Sequence, residues 1–388
     1  MAMNREMPAR LTAVMLTAGC VAAPPAEASL GGLPLRPSGM IRYNYIYKDW
    51  SKTFRGNGKL DFDTGAVGAS LAGKRWIASL QYRFYFYEGG QSTQFLKEAW
   101  VGYRITGNRQ VQAGLNKVPF GVLPYASNNW FFSLLYYVGL EDTYRLGVKY
   151  ISNSGPWDFR FGFYPRDGGS YVGNSEDSAR YSYNVVEGLG VHNKQRNQIN
   201  GRITYTWRQG PSMSTELGVS LQWAQVANFD TGKSGDQYAA AVHLKGTYGH
   251  WGIKLETARY RYHLKNPPGQ SENVVIRGAY DYPYRTAAAG TLYVASLSYN
   301  LPVGRAYIDN ITFYNDYSRL EKGPAGFSPS EENVVGASIS AGHFLIYLDF
   351  GYGRNQPFLS PAFIDGLAAG GLDNSWHRRY NMNVGYYF

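Results

Sequence analysis

From Ser29 onward the chain repeats one pattern: apolar or aromatic residues at every second position, with polar residues between them. Trp76, Ala78, Leu80, Tyr82, Phe84 and Phe86 form one such stripe, against Arg75, Ser79, Gln81 and Arg83. The same alternation runs through Ile41–Tyr47, Ala99–Ile105, Tyr144–Tyr150, Trp157–Phe163, Ile203–Trp207, Leu217–Trp223 and Phe344–Phe350. It closes the chain in Tyr380, Met382, Val384 and Tyr386, ending on Phe388. A period of two is the signature of a strand whose two faces see different surroundings. Each unit spans about ten residues, the length of a tilted strand that crosses a bilayer.

The links between units alternate in length. Short ones fall near 72–74, 106–108, 152–156, 209–212, 248–250, 301–304 and 341–343. Longer ones fall near 50–57, 88–93, 119–141, 165–195, 227–236, 265–286, 318–331 and 354–375. Seven short turns and eight long loops predict sixteen antiparallel strands, with both termini and the tight turns on one side. In hydrocarbon every backbone amide needs a partner, so such a sheet must close on itself. Sixteen strands leave an aqueous lumen, where eight would be filled by side chains. The fold expected is therefore all-β: a 16-stranded transmembrane β-barrel with short periplasmic turns, long extracellular loops and a closing pair between the last strand and Ile41–Tyr47. Two positions break the pattern: Lys97 falls on the lipid-facing phase and Arg259 conflicts with its strand, which predicts bulges or strand ends there.

The first 28 residues carry a different pattern. Arg5 and Arg10 precede an apolar run from Leu11 to Val21, and Ala26-Glu27-Ala28 fits a small-x-small cleavage site. This predicts a removable export signal over residues 1–28 and one domain over residues 29–388. Composition agrees with a barrel. The 388 residues include 34 Tyr and 46 Gly, and no apolar stretch after the N-terminus is long enough for a helical span. The single cysteine, Cys20, excludes an intrachain disulfide and a cysteine-based zinc site.

Function is then sought on the inner face and in the loops. The chain carries a net charge of +10. Inward-phase positions hold Arg83, Arg104, Arg145, Lys149, Arg160 and Arg202, against fewer acids such as Glu98 and Asp349. A basic lumen favours anions. The basic residues are spread through strands rather than clustered, which argues against nucleic acid. The segment Pro119–Leu140 is too apolar to extend into water, so it is expected to fold inward against the barrel wall and narrow the pore. Glu141 and Asp142 would end this loop opposite the basic wall, placing a transverse field across the constriction, with Lys117 at its other end. Constriction candidates are therefore Arg83, Glu98, Arg104, Lys117, Glu141, Asp142, Arg145, Lys149, Arg160 and Arg202.

The run Gln112-Ala113-Gly114-Leu115-Asn116-Lys117-Val118-Pro119-Phe120-Gly121 resembles the strand-to-loop segment of the porin O and P (phosphate-selective) family. Ile311-Thr312-Phe313-Tyr314-Asn315-Asp316-Tyr317-Ser318 is similar to a late strand of that family. The resemblance implies a trimeric outer-membrane porin with its third loop in the pore. It also implies that the assembly machinery of such barrels reads the C-terminal strand ending in Phe388. No His-Glu-x-x-His, Gly-x-Ser-x-Gly or phosphate-binding loop is present. The reading is a passive, anion-preferring porin of the bacterial outer membrane, with no enzyme activity and no cofactor. Its partners would be membrane lipid and lipopolysaccharide, small anionic or polar solutes and two further copies of itself. The alternative is a substrate-specific channel for sugars or for aromatic or dicarboxylic acids, with aromatic loops such as Tyr280–Tyr284 stacking on the solute; an outer-membrane enzyme is the remaining reading.

Overall fold

The computed structural model describes residues 28–30, 33–87, 90–305, 307–371 and 373–388. The expected export signal lies outside the described residues except for Ala28. Sixteen strands follow in order: β1 (Leu33–Lys48), β2 (Lys59–Ala72), β3 (Trp76–Phe86), β4 (Ser92–Thr106), β5 (Arg109–Lys117), β6 (Tyr144–Ser154), β7 (Trp157–Asp167) and β8 (Asn193–Gly210). The second half comprises β9 (Met213–Asn228), β10 (Ser234–Tyr248), β11 (Trp251–His263), β12 (Ala289–Arg305), β13 (Ile308–Lys322), β14 (Ser330–Ala341), β15 (Phe344–Arg354) and β16 (His377–Tyr387). Each pairs antiparallel with its sequence neighbours, and β16 also pairs with β1 from Met40↔Tyr387 to Lys48↔Arg379. The sheet is thus a closed barrel, with the short strand Ala28–Leu30 folded back on Leu33–Leu35.

The seam is tight. Gly39 and Phe388 exchange backbone hydrogen bonds of 2.7 and 3.0 Å. A Cβ on Gly39 would lie 2.5 Å from Phe388 Cζ, so the ring needs a glycine opposite it. Inside the seam, Asn381 and Asn383 are fully buried, and Asn383 Nδ2 donates to Asn44 Oδ1 at 2.7 Å. Of the outward residues of the same strand, Tyr386 is exposed and Tyr380, Met382 and Val384 are half-buried. Period-two alternation has become an apolar outside and a hydrogen-bonded inside.

The turns and loops separate by end. Links of two or three residues join β2 to β3, β4 to β5 and each later even-numbered strand up to β14 to the strand after it, and the long loops all lie at the opposite end. T-shaped aromatic pairs ring the turn end on the outward face: Trp76–Tyr103, Trp157–Tyr205, Trp251–Tyr299 and Phe344–Tyr386, with centroids 4.9 to 5.1 Å apart. Such a girdle suits a membrane interface. One expected turn moves: the strands flanking 301–304 run on to Arg305 and Ile308, through a register shift at Pro302, which has no N–H to give the ladder.

The two misfits have different causes. A bulge between Gln81↔Glu98 and Tyr82↔Leu96 leaves Lys97 without a partner and turns its side chain into the lumen. Arg259 stays outward, in unbroken register with β10 and β12, and lies beside exposed Arg261 and His263. It marks the loop end of β11, beyond the apolar stripe.

Candidate functional site: the lumen and the loops that fill it

The third loop, residues 118–143, leaves β5 and crosses to the far wall. Its backbone is gripped by wall side chains strand by strand. From β8, Arg202 Nε donates to Gly121 O at 2.7 Å. From β9, Ser220 Oγ accepts from Gly121 N at 3.0 Å. From β10, Lys245 Nζ donates to Leu123 O at 2.7 Å. From β11, Glu256 accepts from Val122 N at 2.8 Å and Lys254 Nζ donates to Ser127 O at 2.8 Å. From β13, Asp316 accepts from Asn128 N and Asn129 N at 2.7 and 2.9 Å, and Ser318 Oγ from Leu134 N at 3.0 Å. From β15, Asp349 accepts from Trp130 N at 3.2 Å. Acids hold N–H groups and cations hold carbonyls, so from Gly121 to Trp130 much of the loop's buried main chain is paired by the wall.

Within the loop, Ser133 caps a one-turn helix, Leu134–Tyr137, its Oγ accepting from Leu135 N. Glu141 closes the loop on itself, accepting from Ala126 N at 2.9 Å and Ser133 Oγ at 2.5 Å. Burial pushes its carboxyl above the usual range. Asp142 behaves oppositely: burial opposes its ionisation, but Lys117 and Lys97 outweigh that and hold its carboxyl below the usual range. Lys117 Nζ lies 2.6 Å from Asp142 Oδ1 and donates to Pro124 O at 2.9 Å.

The opposite arc, β3 to β6, gathers cations. Arg83, Lys97 and Lys117 come from three successive strands and meet around Tyr181, Tyr144 and Tyr125. The Arg83 guanidinium sits 4.8 Å from the Tyr181 centroid, Lys97 Nζ 4.8 Å from the same ring and 5.1 Å from Tyr144, and Lys117 Nζ 4.5 Å from Tyr125. Cations stacked over ring faces are favourable contacts. Lys149 joins them by donating to Lys117 O at 2.7 Å. Asp142 supplies a carboxylate to the cluster, also accepting from Tyr181 OH at 2.6 Å.

The remaining sequence candidates divide. Arg160 pairs with Asp158 at 2.8 Å, and Arg202 with Glu216 at 2.7 Å, in a second network that includes His243. Glu98 accepts from Ser79 Oγ at 2.5 Å. Arg104 lies at the turn end, donating to Gly73 O at 2.6 Å. Arg145 is fully buried, donating to Gln195 O at 2.9 Å and sitting 3.2 Å from Asn184 Oδ1. Glu141 points into its own loop instead of across the lumen, so the transverse pair expected from Glu141 and Asp142 rests on Asp142 alone. Lys97 and the three tyrosines are additions; the misplaced Lys97 was the one sequence signal for them.

Above the third loop the lumen is filled. Residues Val274–Ala279 and Tyr282–Ala287 form a hairpin that pairs with Asn184–Val185, making a three-stranded sheet inside the loop end. Tyr280 and Asp281 at its tip hold positive φ values of 55° and 71°, the conformation of a tight hairpin turn. The Asp281 carboxylate fixes the tip by accepting from Asn174 N and Ser175 N at 2.6 and 2.7 Å. The tip rests on the third-loop helix: Tyr280 and Tyr136 share a hydroxyl hydrogen bond, and Tyr284 OH donates to Tyr137 O at 2.6 Å. Burial pushes the Tyr136, Tyr280 and Tyr284 hydroxyls well above their usual range, so they stay neutral donors. Tyr284 is fully buried and Tyr280 is partly buried against the plug core, whereas Tyr282 is 39 % exposed. Of the tyrosines in this segment expected to stack on a solute, Tyr282 is the exposed one.

No protein-family model matches the chain, and no curated protein does. Solved structures do. The outer-membrane channel DcaP of Acinetobacter baumannii is 11% identical, with 93% of this chain and 99% of that chain covered and a TM-score of 0.58. An anion-selective porin from Comamonas acidovorans is 13% identical over 91% of this chain and 99% of that one, with a TM-score of 0.55. Salmonella typhi OmpF, in a complex with daunomycin, is 11% identical over 93% and 100%, with a TM-score of 0.57. At these identities the likeness is one of fold, and the fold is that of outer-membrane porins.

Proposed function

We propose that this chain is an exported outer-membrane porin that passes small hydrophilic solutes by diffusion, prefers anions and assembles as a homotrimer. Solutes cross between the third loop and the wall formed by β3 to β6. The observation that carries the anion preference is the charge balance of that wall. Among the described residues Arg83, Lys97 and Lys149 have no carboxylate partner, Lys117 is matched by Asp142, and Glu98 is the one acid held by a hydroxyl instead of a cation. Uncompensated cations in a confined passage raise the local anion concentration. The filled loop end restricts traffic to small solutes. The resemblance of Gln112–Gly121 to the phosphate-selective porins agrees with this sign of charge, and phosphate is one candidate solute. Residues 1–28 act as the export signal, and the strand ending in Phe388 is the segment the assembly machinery reads. Lipid and lipopolysaccharide surround the apolar outer face.

Planar bilayers test the reading. A potassium chloride gradient across membranes holding the purified protein is expected to give a reversal potential of anionic sign. A cationic sign removes the anion preference, and the absence of channels removes the porin itself. In detergent the protein is expected to migrate as a heat-modifiable trimer.

A further inference from the structure

At the loop end, over the aromatic plug, lies a cleft of about 320 Å3. Its walls come from three segments distant in sequence: Lys48 at the end of β1 with Trp50 just beyond it, Tyr282 from the hairpin, and Phe358, Ser360 and Phe363 from the last loop. The volume is at the small end of the range for small-molecule sites. The walls are fixed in advance. Phe358 and Phe363 pack edge to face at 5.4 Å, Phe363 meets Tyr282 and Tyr284 at 6.0 and 5.8 Å, and Phe358 lies 5.4 Å from Tyr137 of the third loop. Gln356 Oε1 accepts from Phe358 N and Leu359 N at 2.5 and 2.7 Å, which holds the segment in place.

The chemistry of the lining selects an occupant. Its side chains offer flat apolar faces and little else. The Ser360 hydroxyl is already committed, donating to Gln356 O at 2.8 Å. A sugar would bury many hydroxyls here with too few partners, and each unpaired one is costly. Lys48 is the exception: its ammonium lies 4.6 Å from the Phe54 centroid and, among the described residues, pairs with no carboxylate. Behind the floor, Arg379 donates to Phe358 O at 3.3 Å and adds a second positive charge.

We propose that this cleft binds a small carboxylate carrying an apolar ring, with the ring between Phe358, Phe363, Tyr282 and Trp50 and the carboxylate on Lys48. The proposal rests on the channel reading and deepens it: the cleft sits at the solute-facing mouth and touches the constricting loop through Phe358 and Tyr137. Benzoate, benzyl alcohol and glucose serve as probes in calorimetric titrations of the detergent-purified protein. Benzoate is expected to bind saturably, with affinity falling about tenfold in Lys48→Met, the scale of one lost charged hydrogen bond. Benzyl alcohol is expected to bind more weakly and to be indifferent to that change, and Phe358→Ala to weaken both. Retained heat-modifiability shows that each variant is folded, and Lys48→Arg is expected to restore benzoate binding. Benzoate binding that is absent, or unchanged in Lys48→Met, overturns the site, as does glucose binding more tightly than benzoate. A wild-type protein that binds benzoate in this pattern yet passes no current keeps the site and overturns the channel.

Discussion

Two arcs of the inner wall carry the same residue types in the same phase, yet do different jobs. On β8 to β15, Arg202, Lys245, Lys254, Glu256, Asp316 and Asp349 all point inward, and each is bound to the backbone of the third loop. On β3 to β6, Arg83, Lys97 and Lys149 also point inward, but among the described residues none of them forms a salt bridge, and the loop's main chain does not occupy them as it does the far arc. An inward arginine is therefore not by itself a pore charge. What stands in front of it decides whether it structures the loop or faces the solute.

The comparison breaks most visibly at Asp316, which accepts four hydrogen bonds from Asn128 and Asn129. Asp316→Ala strips the backbone N–H groups of Asn128 and Asn129 and the buried Asn129 amide of their acceptor, and is expected to cost about 3 kcal/mol, since bonds to charged groups are the strong ones. The readouts are a lowered temperature of heat-modification and a raised single-channel conductance as the loop frees. Deleting 128–137 is expected to raise conductance in the same direction. An unchanged conductance in both would show that the latched loop does not narrow the passage.

Selectivity separates the arcs next. Lys97→Met together with Arg83→Gln removes two of the uncompensated cations, and the reversal potential is expected to move toward the cationic side. Lys245→Met on the latched arc, which also removes one positive charge, is expected to move it far less. Equal shifts would erase the distinction between the arcs.

The smallest effect concerns Glu141. Burial raises its carboxyl in the folded loop, so folding favours the protonated form. The cost of ionisation is absent below the unfolded carboxylate value, about 4.3, and grows as the pH rises through the raised folded value. The heat-modification temperature is expected to decline over that window, and Glu141→Gln to flatten the decline. A profile equally steep in the variant would assign the slope to other groups.

The strand pattern was legible because a lipid-facing surface leaves period two almost unbroken. Where it broke, at Lys97, the misfit itself pointed to the bulge. The loop functions were not legible. Arg145, Arg202 and Arg83 look alike in the sequence, and only the fold shows the first bonded to Asn184 and Gln195, the second on Gly121 and the third over Tyr181. The hairpin at 274–287 was hidden for a similar reason. Its Tyr280-Asp281 tip lacks the asparagine or glycine that announces such turns, and it is held there by Arg180 O and the backbone of residues 174 and 175.

The way the third loop is held has one more consequence. The wall grips mainly peptide N–H and C=O groups, which every residue but proline offers alike. Loop side chains that face the passage can then be rewritten without loosening the grip, whereas the wall residues on β8 to β15 cannot. A lineage, or an engineer, could retune what this barrel admits by editing a few loop positions and leaving the sixteen strands untouched.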